Sequence, residues 1–204
     1  IGSYIQATVA NSYLSLLELK STDNVLDIGC GDGAFTTKIL DNIPHGALIG
    51  IDRSKNMLEL AQKKIAQYPN FSVQEADVLS MTFNELFDYV VSFWCLQWSA
   101  DITSAFSNIY KALKKGGKFF TIFPSGDDPF MTTYASVKSS SDYACLKNFK
   151  APLNYQQFEH LNDKLSTIPF KHCEIKRLTQ SIVLPSVDVF RKFVNGIAFF
   201  HGQL

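Results

Sequence analysis

Residues 25–35, VLDIGCGDGAF, pass from a short apolar run through an acid into glycines at positions 29, 31 and 33. An uninterrupted apolar run bounded by turn residues is the pattern of a strand covered on both faces, and such strands belong to parallel sheets. Alternate glycines straight after it predict a sharp turn where something must approach the backbone closely. The question is what approaches.

The rest of the chain repeats the strand–helix rhythm. Ile5, Val9, Tyr13, Leu16 and Leu17 are spaced as one face of a helix over residues 5–19. After the first strand, Phe35, Ile39, Leu40 and Ile43 continue at helical period until Pro44, and GALIGID follows as a second buried strand. Ser54 is an N-cap type residue opening a helix that buries Leu58, Ala61 and Ile65. FSVQEAD and FDYVVSFW are the third and fourth strands. Ile102, Ala105, Phe106, Ile109, Tyr110 and Leu113 then share one helix face, KKGG ends that helix with Gly116 in the C-cap role, and KFFTIF is the fifth strand. Alternation from residue 24 to 124 predicts an α/β fold: a Rossmann-like, doubly wound, mainly parallel sheet. The chain reads as one domain over 1–204, with an N-terminal helix to residue 20, a core over 21–124, and a helical lid and substrate-side segment over 125–204. Residues 172–184 are expected to add a further strand, 187–200 a last amphipathic helix, and a closing C-terminal strand is expected to be missing.

In an open parallel sheet the ligand lies beyond the carboxyl ends of the strands, where the strand order reverses. The glycine loop is at that edge, but its spacing is G-x-G-x-G, not the G-x-G-x-x-G of a dinucleotide loop, and no P-loop lysine follows. Asp27, two residues before Gly29, suits a cationic amine better than a pyrophosphate. A turn needed only for strand–helix packing is the plain alternative. Asp52 ends the second strand, where a carboxylate can take both hydroxyls of a ribose or merely cap a helix. Asp77 ends the third strand, facing an adenine amine or serving as an ordinary loop carboxylate. Three acids above three consecutive strands, with the loop, make the ligand reading specific.

These motifs, VLDIGCGDGAFT, GALIGIDRSKNML, EADVLSM and FDYVVSFWCLQW with YKALKKGGKF, resemble the successive motifs of class I S-adenosylmethionine-dependent methyltransferases over residues 24–124. LQW after the fourth strand and VLPSVDVFRKFVNGI near the end resemble, more narrowly, small-molecule carboxyl methyltransferases of the trans-aconitate, malonyl-carrier-protein and juvenile-hormone-acid types. The resemblance implies the strand order 3-2-1-4-5 and S-adenosyl-L-methionine as cofactor. It implies Asp27 on the methionine ammonium beside the backbone of Gly29, Cys30 and Gly31, with Gly33 completing the loop. It places Asp52 on the ribose, Arg53 and Met57 around the adenine, Asp77 on the adenine amine, the Val78 amide on the ring and the Phe93 carbonyl on the methionine amine. An arginine at 53 departs from the apolar residue common there, so its guanidinium is expected to stack.

Methyl transfer from a sulfonium is an in-line displacement in which the protein mainly aligns the reactants. A carboxylate acceptor is already ionised and needs no base, and no acid, His or Tyr sits in an obvious base position after strand four. Gln97 and Trp98 stand there instead, expected to orient the acceptor and wall it off, or else simply to pack the turn. Tyr4 and the Phe193–Phe200 surface are expected to enclose the methyl group. The acceptor is expected to be a small-molecule or carrier-bound carboxylate. A hydroxyl, amine or carbon acceptor, an RNA methyltransferase and a non-catalytic cofactor-binding protein are the competing readings. Balanced charge, 19 basic against 19 acidic residues, gives no long-range pull on nucleic acid, and FWCL stands where a base-modifying enzyme carries an Asn-Pro-Pro-Tyr-like tetrapeptide. Four scattered cysteines without a CxxC pair read as reduced thiols of a cytoplasmic protein, and four isolated histidines predict no metal site. No apolar run is long enough to span a bilayer, and the sequence leaves the oligomeric state open.

Overall fold

A computed structural model describes residues 4–124, 129–138, 140–142, 155–179 and 181–195. Five strands form one sheet in the order β3-β2-β1-β4-β5: β1 (Asn24–Ile28), β2 (Ala47–Asp52), β3 (Phe71–Glu75), β4 (Phe87–Phe93) and β5 (Leu113–Ile122). Every pairing is parallel. The order reverses between β1 and β4, as the alternating sequence pattern and the family resemblance imply.

Side-chain alternation along each strand feeds two cores. Leu26, Ile28, Ile51 and Val90 face α4 (Ile102–Ala112) and pack with its Ile102, Ala105, Phe106 and Ile109. Val25, Leu48, Tyr89 and Val91 face the other way and pack with Ile39, Leu40, Ile43 and Ile65. Both faces of the central strands are thereby buried, which is why they read as continuous apolar runs. Ala10 of α1 (Tyr4–Tyr13) and Leu17 join the second core and fix the N-terminal helix over that face. Asp101 caps α4 by accepting from the Thr103 and Ser104 amides at 2.9 and 3.1 Å, and Ser54 caps α3 (Lys55–Lys64) by accepting from Met57 N–H. Only a short α2 (Thr36–Leu40) follows the glycine loop.

Two expectations are corrected. Helix α4 ends at Ala112 with Leu113 already extended, so Gly116 is not its C-cap. The KKGG residues lie inside β5, where pairing jumps from Phe87↔Leu113 to Tyr89↔Lys118, and Gly116 (φ +82°) turns the extra residues of that irregularity. The further strand over 172–184 does not form among the described residues; these run without regular structure, and the sheet there has five strands. Beyond the sheet lie α5 (Pro129–Val137), α6 (Leu161–Ser166) and α7 (Val187–Asn195). Phe158, Leu165 and Ile168 pack onto the α4 core. No helix among the described residues is long and apolar enough to cross a membrane.

Candidate functional site

A cleft of about 830 Å³ opens at the carboxyl ends of β1, β2 and β4. It has the volume of a small-molecule site. Its floor is the glycine loop, its sides the segments after β2, β3 and β4, and its roof α1, which contributes Gln6, Ala10 and Asn11.

The three glycines serve different ends. A Cβ at Gly29 would collide with Cys95, and one at Gly33 with Ile65, so both are required by packing. At Gly31 (φ +56°) a Cβ would meet nothing within 4 Å. That glycine faces open cleft and is the one whose missing side chain leaves room for a ligand.

The loop amides are directed inward. Gly29 and Cys30 N–H both donate to the Ile51 carbonyl, at 2.8 and 3.1 Å, and Gly31 N–H donates to Asp52 Oδ2 at 3.0 Å. A pyrophosphate needs such amides free, as an anion nest presents them. Here they are engaged in the fold, so the loop does not offer a phosphate cradle.

What the cleft offers instead is negative charge. Asp27 is 3% exposed and accepts from Thr36 Oγ1 at 2.7 Å. Burial pushes its carboxyl up to about 6; the Thr36 bond opposes that shift and Asp52 adds to it. Asp52 accepts from Gly31 N–H and, through Oδ1, from Ser54 N–H at 2.9 Å. Each of its oxygens keeps a second acceptor site. Asp77 accepts from Leu79 N–H at 2.9 Å. Its other oxygen lies 3.3 Å from Arg53 Nε, an ion pair made through the guanidinium edge that leaves the planar face open. Met57 and Val78 line the same end of the cleft, and Phe93 lines it from β4, its ring 4.2 Å from that of Phe35. Asp27, Gly29, Cys30, Gly31, Asp52, Arg53, Met57, Asp77, Val78 and Phe93 thus come together around one cavity, with Gly33 packed just beneath.

The residues after β4 divide. Trp98, 44% exposed, is part of the cleft wall. Gln97 is 4% exposed and outside that wall; its Nε2 donates to the Trp94 carbonyl at 2.8 Å and its Oε1 is buried without a partner. The amide expected to face an acceptor is turned inward to brace the turn. Of the enclosure expected around the methyl group, the side chains of Tyr4 and of Phe193–Phe200 lie outside the described residues.

Three contributors were not legible as site residues. Thr36 orients Asp27. Trp94, with a left-handed backbone (φ +58°), lines the cleft and donates its indole N–H to the Gln6 carbonyl at 3.1 Å, joining the end of β4 to α1. Lys38 lines the cleft from α2. The threonine had a signal in its place one turn past the glycines; the tryptophan and the lysine had none. Cys95, also in the wall, is no nucleophile, because burial holds its thiol at about 12. Among the described residues no cluster of ligating side chains is suited to a metal ion.

Fold and cleft together define an α/β domain with an acid-lined cleft at its strand ends and a glycine loop that offers no phosphate cradle. Residues 25–117 match the family model described as a methyltransferase domain. The chain is 28% identical over 182 residues to a malonyl-[acyl-carrier protein] O-methyltransferase of Ilyobacter polytropus, covering 87% of this chain and 64% of that protein. It is 28% identical over 185 residues to a demethylmenaquinone methyltransferase of Staphylococcus aureus, covering 86% and 73%. The crystal structure of the YcgJ protein from Bacillus subtilis shares the fold at 21% identity, with a TM-score of 0.55 over 63% of this chain and 56% of that one. The chain spans between 58% and 64% of the length of several curated relatives.

Proposed function

We propose that the protein transfers a methyl group from S-adenosyl-L-methionine to a small-molecule or carrier-bound carboxylate. The observation that carries the cofactor assignment is the inward-bonded glycine loop beneath three strand-end acids. A positively charged amino-acid end, a ribose and an adenine need acceptors in that order, and Asp27, Asp52 and Asp77 supply them. Asp27 would hold the ammonium, Asp52 the ribose hydroxyls, and Asp77 with the Val78 amide the adenine edge, against Met57. When bound, the cofactor supplies an electrophilic methyl on a sulfonium. The protein's part is alignment and exclusion of water: Phe93, Trp94 and Trp98 form an apolar wall on the β4 side, and α1 covers it.

The carboxylate reading rests on the chemistry of the wall. Its described residues include no His, Tyr or Glu, and each of its four acids already has hydrogen-bond or ion-pair partners. An acceptor already ionised at neutral pH needs no proton removed. The carrier-bound malonyl group named for the Ilyobacter relative is of that kind. The menaquinone precursor named for the Staphylococcus relative favours a second reading, a ring-carbon acceptor.

Calorimetry with S-adenosylhomocysteine tests the cofactor assignment, and absence of binding at millimolar ligand would refute it. Radiolabelled methyl transfer to a panel of small acids, carrier-bound acids and quinone precursors tests the acceptor. Base-labile label on acids alone supports the ester; stable label on a quinone ring replaces it.

A further inference from the structure

Two cations line the cleft, and they differ in what neutralises them. Arg53 at the adenine end is paired with Asp77 at 3.3 Å. Lys38 is half-buried and makes no ion pair among the described residues. Its ammonium donates to Asn11 Oδ1 across the cleft roof, a neutral partner that seats the group without cancelling its charge. The other ionisable groups of the wall are the acids Asp27, Asp32, Asp52 and Asp77 and the thiols Cys30 and Cys95. Asp32 is already paired with Lys64 at 2.5 Å. Lys38 is therefore the cleft cation without an acidic partner among the described residues, half-buried, where an anion would gain more from it than at an open surface.

We propose that Lys38, seated by Asn11, is the carboxylate-binding cation of this cleft. The proposal deepens the cofactor reading above and rests on it. Two carboxylates fit that chemistry, the α-carboxylate of the cofactor's amino-acid end and the carboxylate of an acid acceptor. Placement favours the first. An α-amino acid carries its ammonium and carboxylate on one carbon, so the protein groups that receive them must be close neighbours. Lys38 stands two residues beyond Thr36 on the same short helix, and Thr36 is bonded to Asp27 at 2.7 Å. Because Asn11 belongs to α1, a carboxylate bound there also ties the cleft roof to the ligand.

The test is K38Q, which keeps the length and hydrogen-bonding reach of the side chain and removes the charge. Calorimetry is run with S-adenosylhomocysteine and with its analogue lacking only the carboxylate. Loss of one charge-assisted hydrogen bond should weaken S-adenosylhomocysteine roughly ten- to a hundredfold. The decarboxylated analogue should bind wild type and K38Q within about twofold, as expected when no partner for the charge is present. Unchanged S-adenosylhomocysteine affinity with weaker binding of malonate to the loaded protein assigns the lysine to the acceptor's carboxylate, and the proposal holds in that form. Equal loss for both nucleosides means that Lys38 only braces α1 through Asn11 and overturns it, as does no loss for any ligand. A wild-type protein that binds neither nucleoside refutes the cofactor reading itself, which is distinct from a K38Q that binds normally.

Discussion

The two sides of the cleft are built differently. On the β1–β3 side the three strand-end acids and the Gly31 amide are already fixed by the fold: Gly31 to Asp52, Asp52 to Ser54, Asp27 to Thr36 and Asp77 to Leu79. On the β4 side the chain turns through a left-handed tryptophan, buries one unpartnered amide oxygen and leaves another tryptophan 44% exposed. The acids of the first side are preorganised. The second carries the local strain and unsatisfied polarity that accompany sites finished by a ligand or by other chain segments.

The largest effect that would break this contrast is on the preorganised side. Gly31→Val should abolish S-adenosylhomocysteine binding while leaving a folded protein, its melting temperature lowered by roughly 2–12 °C, since its Cβ faces open cleft and only the positive φ resists it. Normal binding would place the cofactor elsewhere. Gly33→Val, which would drive a side chain into Ile65, should instead fail to fold. The pair separates ligand room from packing.

Asp52→Ala comes next. Two charge-assisted bonds to a ribose and the Gly31 amide would be lost together, so affinity should fall about a hundredfold or more. Calorimetry giving an affinity within threefold of wild type would reduce Asp52 to a loop and helix-cap acceptor, the plainer role that its Ser54 bond already fulfils.

The third effect is on pH dependence. Asp27 ionises at about 6 in the folded chain against an ordinary 3.8. Between those values the folded state holds a proton that the unfolded chain has lost. Stability of the empty protein therefore falls as pH rises through that window, by on the order of 3 kcal/mol, and is level above it. A bound ammonium favours the ionised carboxylate, so cofactor affinity should move the other way, rising about tenfold per unit up to pH 6 and then flattening. Asp27→Asn should remove both slopes. A cofactor affinity independent of pH from 5 to 8 would mean that Asp27 does not meet the ammonium.

The same contrast explains what the sequence disclosed. The cofactor side is made of contiguous motifs: an apolar strand delivers each acid to its end, and helical period locates the caps at Ser54 and the face of α4. Local spacing therefore names Asp27, Asp52, Asp77 and the glycines. Trp94 and Lys38 escape because their contacts are made with partners far along the chain, Gln6 for Trp94 and Asn11 for Lys38. Gln97 departs from its expected orientation for a related reason. A polar residue after a strand end looks outward-facing in sequence, whereas the left-handed turn at Trp94 exposes a carbonyl that the amide closes. Gly116 was misplaced because KKGG resembles a helix end when the register of β4 with β5 is unknown.

The smallest effect on binding, and the sharpest on the contrast, belongs to Trp98. It stands at the end of a single helical turn, Leu96–Trp98, whose backbone is closed by Trp98 N–H donating to the Cys95 carbonyl at 2.9 Å. That bond uses no side-chain atom, so Trp98→Ala should keep the turn. The contacts proposed for the adenosine lie on the opposite side and should persist, leaving S-adenosylhomocysteine affinity within about twofold, the margin expected where no contact is lost. What disappears is apolar wall beside the place an acceptor must occupy. Misalignment and water entry there should lower turnover roughly ten- to a hundredfold. Turnover and affinity measured on the same preparation decide the matter. If both fall together, Trp98 is structural and the β4 side is as preorganised as the β1 side. If neither falls, Trp98 does not wall the acceptor, which then meets another part of the cleft.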